Sequence, residues 1–165
     1  VAVLFERHHR RVYNYLLRMS RHQATAEDLT SEVFVRILKY RSSYRHQARF
    51  TTWLFQVARN LFLDHLERQC PEDSYDDLPP AAASDPVHPE EVLQSSQETR
   101  LIREALNRLP PRKREVLFLS RYRDMRYEDI AAVMGCTPGA VKILVHRSLK
   151  ELGEIYRQIS AGGRA

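Results

Sequence analysis

One interruption constrains this chain more than any other feature. From Gln69 to Thr99 it carries 8 acidic residues and no Lys or Arg, and the stretch holds Pro71, Pro79, Pro80, Pro86, Pro89 and the run Ala81–Ala83. Prolines at that density remove backbone donors and fix φ, so neither a continuous helix nor a central strand can cross it. Gln69 to Ser95 reads as a linker whose extended reach is roughly 90 Å over about 27 residues. The flanking blocks have the opposite sign. Val1 to Arg68 carries 12 basic and 6 acidic residues, and Arg100 to Ala165 carries 14 and 7. Two short basic modules on either side of an acidic spacer suggest that each meets a polyanion which repels the spacer. The plainer alternative is charge clustering on solvated helices.

Composition narrows the class further. The chain has 165 residues, of which 43% are hydrophobic and 28% charged, enough apolar content for a packed core. No run approaches the length of apolar residues needed to cross a bilayer, and the N-terminus has no signal-peptide pattern, so a cytoplasmic protein with no membrane insertion is expected. Cys70 and Cys136 are too few for a disulfide framework or a metal cage. His8 and His9 are adjacent, so on a helix they point apart. No nucleophile elbow, His-Glu-x-x-His or catalytic carboxylate pair is present. No metal, cofactor or catalytic site is expected, and an enzyme has no supporting constellation.

Apolar periodicity predicts only helices. In the first block Leu4, Phe5, Val12, Tyr15, Leu16 and Met19 form a helical stripe broken at Ser20–Gln23. Thr25 with Asp28 three residues on resembles a capping box that opens a second helix to about Tyr40, buried through Leu29, Val33 and Ile37. Arg41 to Ala48 reads as irregular. A third helix spans about Phe50 to Arg68 around Leu54, Val57, Ala58, Leu61 and Phe62. In the last block Leu101, Ala105, Leu106 and Leu109 make one stripe, stopped by Pro110-Pro111. Helices over about Arg112–Arg121, Tyr127–Met134 and Pro138–Gly153 follow. The expected fold is all-α: two small helical domains joined by a flexible acidic linker, the second containing a helix-turn-helix. Its divisions are 1–68, 69–98 (linker), 99–158 and 159–165 (tail).

The helix-turn-helix is read from residues 127–144. Ala131 is small where two helices approach, and Gly135 can adopt the left-handed turn. Ile130, Met134, Cys136, Val141 and Leu144 fall where they lock the helices together, while Thr137 suits an N-cap and Pro138 a first turn. Such a unit places its second helix in a major groove. Thr137, Gly139, Lys142, Ile143 and His146 should then face bases, with Arg147 and Lys150 nearer the phosphates. A plain helical hairpin is the alternative.

Two clusters in the first block remain open on the residues alone. Tyr44, Arg45, Arg49, Phe50, Trp53, Phe55 and Arg59 interleave stacking surfaces with guanidinium groups, as single-stranded DNA requires. Equally, Phe50, Trp53 and Phe55 are core residues with solvated Arg neighbours. Asp28 and Glu32 form an acidic ridge opposite the Leu29/Val33 seam, and Glu32 can pair with Arg36. That ridge is either salt-bridge decoration or a docking surface for a basic partner.

Three segments resemble a known family. Ala-Glu-Asp-Leu-Thr-Ser-Glu-Val-Phe-Val-Arg-Ile-Leu (26–38) resembles the second helix of sigma-factor region two. Phe-Thr-Thr-Trp-Leu-Phe-Gln-Val-Ala-Arg-Asn (50–60) resembles its DNA-melting helix. Leu-Pro-Pro-Arg-Lys-Arg-Glu-Val-Leu-Phe-Leu (109–119), with the helix-turn-helix after it, resembles region four. Their order resembles the extracytoplasmic-function class of bacterial RNA polymerase sigma factors.

The resemblance implies a promoter-recognition subunit, not an enzyme, that binds core RNA polymerase and promoter DNA, with an anti-sigma protein as a further partner. It implies that Asp28 and Glu32, with Leu29, Val33 and Phe34, dock on the β′ clamp helices. It also implies that the loop Ser42–Thr52, together with Trp53, Gln56, Arg59 and Asn60, opens and reads the −10 element. Region four then reads the −35 element and sits on the β flap. Ile143 and Leu144 depart from the polar or basic pair frequent in the family. The competing class is a stand-alone regulator with a similar helix-turn-helix, which needs neither the acidic ridge nor the Phe-Thr-Thr-Trp-Leu stretch.

Overall fold

A computed structural model of the chain describes residues 2–45, 49–69, 96–121 and 125–162. Among these the regular structure is helical: α1 (Ala2–Ser20), α2 (Gln23–Lys39), a 3₁₀ turn (Arg41–Ser43), α3 (Phe50–Gln69), α4 (Gln97–Arg108), α5 (Pro111–Ser120), α6 (Tyr127–Met134) and α7 (Pro138–Gly162). The linker at Cys70–Ser95, the loop residues His46–Ala48 and the last three residues of the expected tail lie outside the described residues.

In the first block α1 packs against α2, and α3 packs against both. Val12, Tyr15 and Leu16 of α1 are wholly buried, as are Ala26 and Val33 of α2 and Leu54 and Ala58 of α3. Each such Val or Leu contributes about 1.5–3 kcal/mol by leaving water. The start of α2 corrects the sequence expectation. Arg21 takes a left-handed φ of 57°, which turns the chain so that extended His22 becomes the N-cap. The Thr25 amide donates to His22 Nδ1 at 3.4 Å. Thr25 therefore lies inside the first turn, and no Thr25/Asp28 capping box forms. The imidazole takes over the orphan amide that a Ser or Thr side chain usually accepts.

The second block is built on α7, which packs against α4, α5 and α6. Ser96 caps α4 by accepting from the Thr99 amide at 3.2 Å, and Pro111 opens α5. Several expected boundaries move. Gln97 and Glu98 belong to α4 and Gln69 to α3, so the linker is shorter at both ends than 69–98. Likewise α7 does not stop near Gly153, and Ile159–Gly162 of the expected tail are helical. Leu152 and Ile155 pack on the core on either side of Gly153, and that burial outweighs the helix cost of one glycine, about 1 kcal/mol.

The two blocks share one core. Tyr15 of α1 meets Phe55 of α3 edge-on at 5.4 Å and Phe118 of α5 at 5.9 Å. In addition, α3 packs against α6, and α1 touches α5.

Candidate nucleic-acid interface

The helix-turn-helix has the local chemistry that its sequence requires. Asp129 Oδ2 accepts the Arg126 amide at 2.8 Å and so holds the start of α6. Gly135 ends it at φ 68°, and the Cys136 amide returns to the Ala131 carbonyl at 3.1 Å. Thr137 Oγ1 then accepts the Ala140 amide at 3.2 Å, capping α7. Ile130, Ala131, Met134 and Val141 are buried, with Cys136 and Leu144 packed partly against them. This clamp leaves one face of α7 in solvent. Thr137, Gly139, Lys142, Ile143, His146, Arg147 and Lys150 are all exposed. From Gly139 onward they recur every three or four residues, so they form a single stripe along the helix. It combines two hydrogen-bonding side chains, an aliphatic surface suited to a thymine methyl, and two more cations.

On the first block, Tyr44 stands half-buried beside Trp53 at 5.2 Å and edge-on to Phe50 at 5.8 Å. Phe50 also meets buried His8 at 5.3 Å, while exposed His9 stacks on Phe5. These aromatics are thus neither fully core nor free: they form a partly open cluster at the N-terminal end of α3. Phe55 is core, at 1% exposure. Arg45 and Asn60 are exposed.

The other members of that set point at the second block. Gln56 Nε2 donates to the Ala132 carbonyl at 3.1 Å. Arg59 Nε donates to Glu115 at 3.0 Å. Arg49 lies 4.0 Å from Asp129, which also accepts the Thr52 hydroxyl at 3.2 Å. The face of Gln56 and Asn60 is therefore not uniformly solvated: Asn60 is in water, and Gln56 is engaged with α6.

On α2, Asp28 and Glu32 are exposed and share their face with Ser31 and Val35. Glu32 pairs with Arg36 at 3.3 Å, and Arg36 reaches Asp64 of α3 at 3.8 Å. Leu29, Val33 and Phe34 are buried at 5%, 0% and 8% exposure. They lie next to the ridge on the side of α2 that packs into the core with α1 and α3.

Sequence reasoning missed Glu115 and Asp129, and the hydrogen bond from Thr52 to Asp129. Glu115 is wholly buried and accepts from both Tyr15 Oη, at 2.6 Å, and Arg59. The one local hint is an acid inside a run that is otherwise buried from Arg114 to Leu119. Among the described residues no group of three or more His, Cys, Asp or Glu is placed to hold a metal ion. No described helix is long and apolar enough to cross a membrane.

This architecture, a three-helix unit with an acidic ridge and a basic aromatic helix, joined to a helix-turn-helix, matches known proteins closely. The Sigma-70 region 2 family matches residues 4–70, and the Sigma-70, region 4 family matches residues 99–152. The chain is 33% identical over 159 residues to RNA polymerase sigma factor CarQ of Myxococcus xanthus, covering 94% of this chain and 88% of that protein. It is 35% identical over 165 residues to ECF RNA polymerase sigma factor SigE of Mycolicibacterium smegmatis, covering 96% of this chain but 62% of that longer relative. In fold it is similar to the sigma factor RpoE of Bartonella quintana, solved in complex with the anti-sigma factor NepR. There the TM-score is 0.75 at 24% identity, over 94% of this chain and 96% of the other. The chain belongs to the extracytoplasmic-function sigma factors of bacterial RNA polymerase, and it acts in promoter-specific transcription initiation.

Proposed function

We propose the following division of labour. The block through Gln69 acts as region two: the Asp28/Glu32 ridge docks on the β′ clamp helices, and α3 with the loop before it opens and reads the −10 element. The block from Ser96 acts as region four: the exposed stripe of α7 reads the −35 element, and the unit sits on the β flap. The observation that carries this reading is that stripe, on which the residues expected at base edges and phosphates lie on one solvent-facing side of a helix held by a clamped turn. Lys142 and His146 lie one helical turn apart, within reach of successive base pairs. Arg147 and Lys150 add sequence-independent attraction to phosphates.

On α3 and the loop before it the donors are Arg49, Gln56, Arg59 and Asn60, and the stacking surfaces are Tyr44, Phe50 and Trp53. Unstacking a base costs a few kcal/mol, which such contacts offset once the strand is open. The chain itself performs no bond-making step; it directs the polymerase. It works in the cytoplasm, with an anti-sigma protein as its regulator, in the manner that the NepR complex of the RpoE structure suggests.

The test is run-off transcription with core enzyme on a genomic promoter library, with permanganate footprinting of unpaired thymines. Promoter-specific starts with a melted −10 region that depend on this chain are expected. Core enzyme unaffected by the chain would refute the assignment. Gln56→Ala with Asn60→Ala should slow opening on duplex promoters but much less on templates already mismatched at −10, whereas equal defects on both would remove α3 from the melting step.

A further inference from the structure

We propose that Ile143 gives this chain a −35 specificity of its own: it reads the C5-methyl group of a thymine, so the recognised element carries an obligatory methyl in the major groove. This rests on the assignment of α7 to the −35 element. Ile143 is 54% exposed, on a helix whose inward side chains Val141 and Val145 are buried. By the helical period Lys142 and His146 lie on one side of it and Arg147 on the other, so it occupies the middle of the stripe. An aliphatic side chain offers no donor and no acceptor. The thymine methyl is the one apolar feature that base pairs present in the major groove. Opposite any other base edge, Ile143 strips water from a polar atom and returns no hydrogen bond. The residue therefore attracts one base and penalises the rest.

The surroundings of Ile143 suit a methyl group. A helical side chain leans over the turn that precedes it. For Ile143 that turn carries Gly139 and Ala140, one to either side. Both are exposed, and nothing lies within 4 Å of the point where a Cβ on Gly139 would stand. The three residues thus bound a shallow apolar notch, open where larger side chains would fill it. The turn beneath the notch is pinned, because Thr137 Oγ1 accepts the Ala140 amide at 3.2 Å. β-Branching holds Ile143 to one strongly preferred χ1 rotamer in a helix, so little freedom is lost on contact. Leu149 shows the contrast. It is as exposed, at 55%, but the turn before it carries Val145 and His146, whose side chains leave no such opening.

The experiment uses the full chain assembled with core polymerase, on a promoter mapped by run-off. Each thymine of the −35 element, on either strand, is replaced in turn by deoxyuridine, which lacks only the methyl, and affinity is measured by competition binding. One position should lose about fourfold in affinity, the worth of one methyl-sized group returned to water. In Ile143→Ala the thymine–uracil difference at that position should vanish, and in Gly139→Leu, which fills the notch, it should shrink. Leu149→Ala should keep the full difference. Replacing that thymine–adenine pair by a 5-methylcytosine–guanine pair should bind more tightly than the unmethylated cytosine pair, because Ile143 reads the methyl alone. Circular dichroism checks each fold, and Ile143→Ala, at an exposed position, decides the matter if Gly139→Leu is unfolded. A −35 element without thymine, indifference to uracil at every position, or a uracil penalty that persists in Ile143→Ala would each overturn the proposal. Scrambling the whole −35 element separates the two ideas. No response to scrambling defeats the assignment of α7, whereas a response to scrambling without a uracil penalty defeats only the role of Ile143.

Discussion

The same substitution at two glycines should move stability in opposite directions, and the difference isolates one backbone angle. Gly135 sits at φ 68° with nothing within 4 Å of where a Cβ would stand; Gly153 lies within α7, also with open space around its Cβ position. Sterics against neighbours are therefore absent at both. Replacing Gly by Ala restricts the unfolded chain equally in the two cases, favouring the folded state by about 0.4–1 kcal/mol. At Gly153 that gain stands, so Gly153→Ala should stabilise by about 0.5–1 kcal/mol. At Gly135 the left-handed conformation brings Cβ toward the following carbonyl oxygen at a cost of about 1–2 kcal/mol. Gly135→Ala should therefore destabilise by roughly 0.5–1 kcal/mol after the common gain is subtracted. The two variants should differ by about 1–2 kcal/mol, the strain itself. Gly135→Asn should lie between Gly135→Ala and the wild type, since asparagine tolerates this region better. Urea unfolding followed by circular dichroism measures all four proteins. Shifts of the same sign and size at both positions would show that the turn between α6 and α7 does not demand the left-handed angle, and the clamped presentation of the recognition stripe would lose its basis.

Asp28→Lys with Glu32→Lys should abolish capture of core polymerase while leaving the thermal midpoint nearly unchanged, because opposed interface charges cost several kcal/mol and both side chains are exposed; capture at wild-type strength in physiological salt would refute the ridge. Lys142→Ala and His146→Ala should each weaken discrimination among −35 sequences by about 1–3 kcal/mol, measured by competition binding. Arg147→Ala should instead weaken binding to all sequences and reduce the salt slope by about one charge. Burial first, and then the nearby Glu27 carboxylate, hold the Tyr13 phenol above its ordinary value of 10.0. The folded state thus keeps this proton where the unfolded chain gives it up, so its contribution is complete below pH 10 and is lost as pH rises through the folded value. Tyr13→Phe should flatten the alkaline limb of a stability–pH curve; an identical limb would mean that other groups set it.

The local architecture was legible because it is written in short-range terms. Apolar spacing alone placed Leu29, Val33 and Ile37 on one side of α2 and left Asp28 and Glu32 on the other. Gly135, Thr137 and Pro138 announced their turn because a left-handed angle, an N-cap and a first-turn proline each favour particular residue types. The exposed stripe of α7 followed from the helical period once that turn was set. Family resemblance then supplied proposed roles that periodicity cannot, such as which face is expected to meet polymerase. Three things did not follow from residue type and spacing. His22 became the cap of α2 because Arg21 turned left-handed. Packing of Leu152 and Ile155 carried α7 through Gly153, whose residue type suggests a stop. Above all, Tyr15, Arg59 and Glu115 met at a single buried carboxylate, across separations of 100 and 56 residues. Nothing in the spacing of an acid within α5 names its partners, because hydrogen bonds of that kind are chosen when two finished helical units come together. The sequence by itself determined the helices, the turn and the surface each unit offers; tertiary packing alone decided that the donors of α3 find their acceptors inside the same chain.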